Sequence, residues 1–111
     1  MNMELKHRGK VHTIGEVKAC SELKKITGLM FTSQKRAKPL LFNFSKPTRL
    51  AIHSFFVFYP FIAIWLDEQN NIIEMQNIRP FRTHIRPKKA FSKLLEVPNN
   101  KKYAETIRQL S

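Results

Sequence analysis

The stretch that decides the fold is HSFFVFYPFIAIWLDEQNNIIEMQN, residues 53–77, which fits either a membrane span or the centre of a folded core. From Leu50 to Leu66 there are 17 residues without a formal charge. As a helix they would cover about 25 Å, short of the roughly 30 Å hydrocarbon layer of a membrane. They are also rich in aromatic and β-branched residues, which favour strands. We therefore predict core strands and no contact with a membrane.

Pro60 divides this stretch into two predicted strands. Residues 50–59 are apolar on both faces of an extended chain, which is typical of a central strand. Pro60 lacks an N–H donor and predicts a bend or bulge. The next run, FIAIWL, is again apolar on both faces, and DEQNN supplies turn-forming residues before IIEMQN alternates apolar and polar positions. The sequence from residue 61 onward therefore predicts a β-hairpin.

The remaining segments predict more short strands and two short helices. Strands are expected in KVHTIGEVKA, KPLLFNF and KAFSKLLEV. One helix is expected in SELKKITGLM, capped by Ser21 and ended by Gly28. The other is expected in NKKYAETIRQL, with Asn100 as its cap and Tyr103, Ile107 and Leu110 on its inner face. Six or seven strands with two helices indicate a β-rich α+β domain, a barrel-like or sandwich fold.

Length and cysteine content set the organisation. A chain of 111 residues can close one hydrophobic core without metals or disulfides. We predict one domain over residues 10–111, preceded by a basic N-terminal extension over residues 1–9. Cys20 is the single cysteine, and no apolar run of signal-peptide type precedes the first basic residues. A reducing cytoplasm is therefore the expected location.

The net charge of +12 is the strongest compositional feature. Residues 1–49 hold 11 basic and 3 acidic side chains, residues 50–78 hold 0 and 3, and residues 79–111 hold 9 and 2. Two basic flanks around an apolar middle create a field that attracts polyanions. The alternative is a lysine-rich surface without a binding role, although Glu does not rise with Lys here. If the flanks bind nucleic acid, the candidate contacts are Arg36, Lys88, Lys89, Lys101 and Lys102.

Several short motifs, in order, resemble the domain-of-unknown-function family 192, and its archaeal branch most. They are TGLMF, LLFNF, the run from IHSFFVFYP to NIRPFR, and LLEVP. The resemblance covers about residues 10–110 and implies a compact β-rich, barrel-like domain with short helices. The family has no established biochemical activity, so the resemblance implies no reaction or cofactor.

This sequence departs from the family pattern at three places. The family usually has an aliphatic residue and then Asp after the proline, whereas Phe61 and Ile62 follow Pro60 here. Thr32 stands where the family commonly has Arg, and VPNN replaces a segment ending in Pro-Ala-Gly. If the family's Asp and Arg carry a reaction, this member lacks it or uses other groups. We favour the structural alternative, in which a paired Asp and Arg are replaced together by uncharged residues at little cost.

The basic loop RPFRTHIRPKK suggests an anion-binding site at one end of the fold. If it folds over residue 53, an imidazole would lie at the base of a pocket and guanidinium groups at its rim, and Arg binds carboxylate and phosphate through paired donors. The alternatives are a buried histidine bonded to a backbone carbonyl and a solvated, proline-stiffened turn. Phe81 is the best single candidate for a ligand contact, because it lies between Pro80 and Arg82. The predicted ligand-binding residues are His53, Phe81, Arg82, His84 and Arg86.

Three function classes follow, with no cofactor expected in any of them. The first is a binding domain for a small anionic ligand, and the second is a nucleic-acid-associated protein. The third is an enzyme, which is the weaker class because no nucleophile, base or metal-ligand spacing stands out, and it would require a strongly perturbed titratable group in the pocket. Glu96, an acid within an apolar run, is expected either to pair with a basic residue such as Arg82 or to point outward.

Overall fold

The hairpin predicted from residue 61 onward is present in the structure. The computed structural model describes residues 1–20, 33–52, 54 and 57–110. The hairpin joins two of its seven strands, and one helix follows the last strand. The elements are β1 Met3–His7, β2 Lys10–Ile14, β3 Lys18–Cys20, β4 Leu40–Thr48, β5 Phe61–Leu66, β6 Ile72–Ile78, β7 Phe91–Pro98 and α1 Ala104–Leu110.

Five of these strands form one sheet in the order β3-β4-β7-β5-β6, and β1 and β2 form a separate two-stranded sheet. β3 pairs with β4 in parallel, and the other neighbouring strands are antiparallel. β5 lies between β6 and β7, so that Ile64 is paired with Met75 on one side and Leu95 on the other. All six residues of β5 are buried, as expected for a strand that is apolar on both faces.

The two faces of the large sheet belong to different hydrophobic clusters. Phe61, Ala63 and Trp65 lie in the first cluster, and Ile62, Ile64 and Leu66 lie in the second. This division follows from the alternation of side chains along β5.

Irregular segments cover the first cluster, whereas the small sheet and the helix cover the second. Val57, Tyr59 and Ile85 are buried in the first cluster and belong to the segments before β5 and after β6. The second cluster takes Leu5 from β1 and Leu110 from α1. No helix in the described ranges is long and apolar enough to span a membrane.

The described residues among 50–59 do not form the central strand that their pattern predicts. In the described part of this segment the strand-like pairing is an isolated bridge between Ile52 and Ile85. Its backbone bonds to the loop after β6, since Ser54 N–H donates to Arg82 O. The segment therefore lies over the sheet, which explains why it is apolar without being one of its strands.

Two predictions about helices have different outcomes. α1 is confirmed: the Tyr103 N–H donates to Asn100 Oδ1 at 3.2 Å, and Tyr103, Ile107 and Leu110 pack in the second cluster. The helix predicted in residues 21–30 lies outside the described residues.

The described strands form an open five-stranded sheet with β3 and β6 at its edges, so the barrel-like prediction is not confirmed.

Residues 1–9, predicted as an extension, contribute to the second cluster. They include β1, whose Met3 and Leu5 side chains are buried there. The N-terminal end is also tied down, because Val17 N–H donates to Met1 O at 2.7 Å.

We expect Leu95→Ala to destabilise the protein strongly. Leu95 is fully buried on β7, between β4 and β5, and its truncation should lower the free energy of unfolding by about 2–5 kcal/mol. The exposed Leu50 is the control, and Leu50→Ala should change stability by no more than about 0.5 kcal/mol. Urea unfolding measures both, and equal losses would contradict the assignment of Leu95 to the core.

Candidate functional site

The loop after β6 begins with a turn that is fixed by one buried serine. Ser54 is fully buried, and its hydroxyl donates to Arg79 O at 2.6 Å and accepts from Arg82 N–H at 2.7 Å. Its backbone accepts from Phe81 N–H at 3.0 Å and donates to Arg82 O at 2.9 Å. Four hydrogen bonds thus hold the segment from Arg79 to Arg82, which we call the Ser54-bound turn.

The Ser54-bound turn places Phe81 against a second exposed aromatic ring. Phe58 and Phe81 are 61% and 55% exposed, and their rings meet edge to face with centroids 5.7 Å apart. Phe81 has a φ of 63°, which is unfavourable for an aromatic residue. The hydrogen bonds of the turn keep this conformation, so an exposed aromatic pair is held in a defined place.

Four of the five predicted ligand-binding residues lie in the loop after β6. Phe81, Arg82, His84 and Arg86 are all exposed, and the Arg86 carbonyl accepts from Gln76 on β6. His53 lies outside the described residues, so its position at the base of a pocket stays a prediction. Its neighbour Ser54 contacts the loop.

The residues predicted to bind polyanions lie at two ends of the large sheet. The turn containing Arg36 is bonded to the chain after β7, because Gln34 Nε2 donates to Asn99 O and Asn100 Nδ2 donates to Gln34 O. Lys101 and Lys102 follow at that same end, and Lys102 forms an ion pair with Glu16.

Lys88 and Lys89 lie in the loop before β7, toward the opposite end of the sheet. Lys88 N–H donates to Glu74 Oε1 at 3.0 Å, and both lysines are exposed. The five predicted residues therefore do not gather at a single loop. Whether they act together on a long polyanion stays a prediction.

Glu96 does not point outward, and it forms no ion pair with a basic residue of the described ranges. Its side chain is 5% exposed on β7, which pairs it with Leu40 and Ala63, and it forms no ion pair with Arg82. Burial raises the pKa of Glu96 to about 8. No hydrogen bond to its carboxyl occurs within the described ranges. The burial of Glu96 could not be predicted from its neighbours along the chain. The residues around it are apolar on both faces of the strand, so they do not indicate which face it occupies.

Trp65 carries a buried polar group without a partner on the same face as Glu96. Trp65 is opposite Leu94 in the register, two residues before Glu96, and its Nε1 has no hydrogen-bond partner in the described structure. The enzyme hypothesis requires a perturbed titratable group in the predicted pocket, whereas Glu96 lies on β7 with its side chain 5% exposed. Within the described ranges, no three potential metal-ligating side chains lie together.

Ser54 and Phe58 are the site residues that the sequence did not single out. Phe58 looked like a core residue because it sits in a run of aromatic and β-branched residues. It is exposed because the described residues 57–60 form no strand and turn Val57 and Tyr59, not Phe58, toward the first cluster. A serine within an apolar run was the available signal for Ser54, since a buried hydroxyl needs partners.

The model of the family described as "Uncharacterized ACR", domain-of-unknown-function family 192, matches residues 3–109. The chain belongs to this family. A UPF0127 protein from the archaeon Thermococcus sibiricus is 34% identical over 96 residues, which are 84% of this chain and 60% of that protein. The chain thus spans about three fifths of the length of this curated relative, and the predicted family resemblance is confirmed.

Two solved structures share the fold of this family member. A protein of unknown function from Novosphingobium aromaticivorans has a TM-score of 0.73 and 14% identity, covering 94% of this chain and 75% of that one. A Sinorhizobium meliloti protein, provisionally described as a transcription regulator, has a TM-score of 0.78 and 16% identity, covering 99% and 85%. At these identities the comparisons show the fold alone.

Ile62, which the family resemblance predicts to replace an Asp, lies beside apolar residues and beside the polar residues Gln76, Asn77 and Asn99. It belongs to the second cluster and lines a cavity of about 240 Å³ with Met75, Ile107 and Leu110. Ile62 packs against apolar side chains of the second cluster, and the replacement of a paired Asp and Arg stays a prediction. Thr32, which the resemblance places where the family commonly has Arg, lies outside the described residues.

We expect stability to fall with rising pH because of Glu96. The folded-state pKa is about 8 against an ordinary value of 4.5, so the folded protein binds the extra proton between these values. Its contribution is fully present below about pH 4.5 and is lost as pH rises through about 8, with a limiting slope of about 1.4 kcal/mol per pH unit.

Glu96→Gln removes this titration. Urea unfolding at several pH values between 5.5 and 8 should show a decline in stability for the natural protein and a flatter profile for the variant. Parallel profiles would show that Glu96 does not titrate in this range.

Proposed function

We propose that the protein is a binding domain for an anionic ligand that carries a planar ring. The ligand would contact Phe81 and Phe58 with its ring, and Arg82 with its charged group. The observation that carries this proposal is the exposed aromatic pair on the Ser54-bound turn. The expected cytoplasmic location stays a prediction.

The exposure of the two rings and the strained backbone of Phe81 both support a binding role for the aromatic pair. Two large apolar side chains in contact would ordinarily lie in the core, because their burial stabilises the fold. Here they are exposed on a turn that is built around a buried serine, and one of them has a positive φ. Unfavourable conformations that the surrounding structure enforces are concentrated at ligand-binding and active sites.

The charges on the same segment favour an anion. Arg79, Arg82, His84 and Arg86 are exposed in the loop after β6, and no acidic side chain lies between them in the sequence. A guanidinium group presents paired donors to carboxylate or phosphate, and an aromatic face accepts a planar ring. These two chemistries occur together in nucleotides and in aromatic carboxylates.

Binding of AMP, followed by amide NMR chemical shifts, tests the proposal. Phe81→Gly removes the ring while glycine keeps the positive φ, and Phe81→Tyr keeps the ring. Loss of one stacking contact, about 1–3 kcal/mol, should weaken binding by roughly 5- to 150-fold in Phe81→Gly. Arg82→Gln should also weaken it, whereas Phe81→Tyr and the distant Lys46→Gln should not. Equal affinities of Phe81→Gly and Phe81→Tyr would contradict the proposal.

A second candidate function is association with single-stranded nucleic acid. The aromatic pair is open to solvent, as in proteins whose exposed rings stack on successive bases. The net charge of +12 and the exposed cations at both ends of the sheet would follow a phosphate backbone. The Sinorhizobium meliloti protein of the same fold is provisionally described as a transcription regulator, which agrees with this candidate.

Salt dependence separates the two candidates. Fluorescent single-stranded RNA and duplex DNA should be titrated at about 50 and 200 mM salt, where six to ten phosphate contacts would cost about 10³–10⁵ in affinity. Such a slope, reduced in Lys88→Gln/Lys89→Gln, would support nucleic-acid binding. No binding at the lower salt would exclude this candidate and leave the small anionic ligand.

A further inference from the structure

The tip of the β1–β2 hairpin concentrates positive charge at a place that no predicted site includes. The strands are joined by the two-residue loop Arg8-Gly9, since His7 pairs with Lys10. Both loop residues have positive φ, 52° and 77°, as a type I′ turn requires. Lys6, Arg8 and Lys10 are all exposed within five consecutive positions.

These residues line a concavity between the hairpin and the large sheet. The concavity has a volume of about 360 Å³, and the start of β6, at Asn71 and Ile72, forms its other wall. The hairpin is fixed against this wall, because Lys6 N–H donates to Asn70 O at 2.9 Å and Asn70 Nδ2 donates to Glu4 O at 3.1 Å. The backbone of the hairpin tip is therefore held in a defined position beside the concavity.

The charge of the concavity is not neutralised. Within the described ranges, Lys6, Arg8 and Lys10 form no ion pair, and no carboxylate lines the concavity. The acid that interacts with Lys6 is Asp67. Burial alone would raise the pKa of Asp67, but hydrogen bonds from Asn71 and Gln69, and then the charge of Lys6, lower it. Its carboxylate is thus already bonded to its own turn.

The pKa of His7 is affected by the positive charges at the hairpin tip. Partial burial, and then the charges of Arg8 and His12, lower the pKa of His7. A bound anion would oppose the last two effects and favour the imidazolium form.

We propose that the concavity at the hairpin tip, formed by Lys6, His7, Arg8 and Lys10, is a binding site for phosphate groups. Lysine and arginine at three of four positions offer the charge and the donors that a phosphate or diphosphate group requires. The phosphate can belong to a free polyphosphate or to the phosphodiester backbone of a nucleic acid, since both present the same oxygen atoms.

This site is separate from the aromatic pair. β6 begins beside the hairpin and ends at the Ser54-bound turn, and its seven residues span about 20 Å. The two sites can therefore be tested independently.

The test is an NMR titration of the His7 imidazole in the full chain, with and without inorganic tripolyphosphate. Binding should raise the pKa of His7 by about one unit. A single-stranded oligonucleotide provides the second arm. If the pKa of His7 rises at a lower concentration of phosphate groups with the oligonucleotide than with tripolyphosphate, the ligand is a phosphodiester backbone. If tripolyphosphate acts at the lower concentration, the ligand is a free polyphosphate. A pKa that stays constant at millimolar concentrations of both probes would overturn the proposal.

The variant Arg8→Asn/Lys10→Gln removes two charges while preserving the hairpin. Asn-Gly is the favoured sequence for a type I′ loop, so loss of binding would not reflect loss of the turn. We expect at least about tenfold weaker binding of tripolyphosphate, whereas Lys18→Gln/Lys46→Gln, which removes the same charge from β3 and β4, should retain affinity. Equal weakening by the two double variants would show a general charge effect and contradict the site. Phe81→Gly should leave the His7 response unchanged, which separates this result from the proposal for the aromatic pair.

Discussion

The fold depends on the burial of β5 and β7 on both of their faces. β5 has six consecutive buried residues, and β7 has one residue, Lys93, that is only partly buried. A sheet whose central strands are apolar on both sides needs two covering layers. The small sheet and α1 supply one, and the segments around Ser54 and Ile85 contribute to the other. The remainder of the architecture follows from this requirement.

The covering layer over the first cluster is also the layer that carries the candidate ligand site. Its buried residues, such as Val57, Tyr59 and Ile85, anchor it to the sheet, and Ser54 joins its two segments. Loops that are fixed in this way can hold exposed groups in defined positions, which is how many binding sites combine a rigid scaffold with variable side chains. The same logic applies at the hairpin of β1 and β2, where Leu5 is buried and the cationic tip is exposed.

Glu96 and Trp65 mark the place where the core is least ordinary. A carboxyl and an indole N–H, neither of them bonded within the described ranges, lie on one face of adjacent central strands. Burial of such groups costs free energy unless something compensates it. The pKa of the Glu96 carboxyl is raised, because the neutral acid is less costly to bury than the carboxylate.

The sequence by itself determined the elements whose signals are local. Alternation and turn residues defined the hairpin of β5 and β6, Pro60 marked the end of the preceding segment, and Asn100 and the spacing of Tyr103, Ile107 and Leu110 defined α1. Phe81 was placed in an exposed basic loop by its polar and proline neighbours. These features depend on residues within a few positions of each other, so a single sequence suffices to detect them.

Only the tertiary structure decided how distant segments satisfy each other's hydrogen bonds. Residues 50–59 have the pattern of a central strand, but in the described part they bond to the loop around Arg82 and Ile85 and lie over the sheet. That arrangement exposes Phe58 and buries Ser54, whereas the register of β7 against its neighbours turns Glu96 inward. A periodic pattern predicts which side chains are buried. It does not predict which backbone groups pair with each other, because the partners are far apart in the sequence.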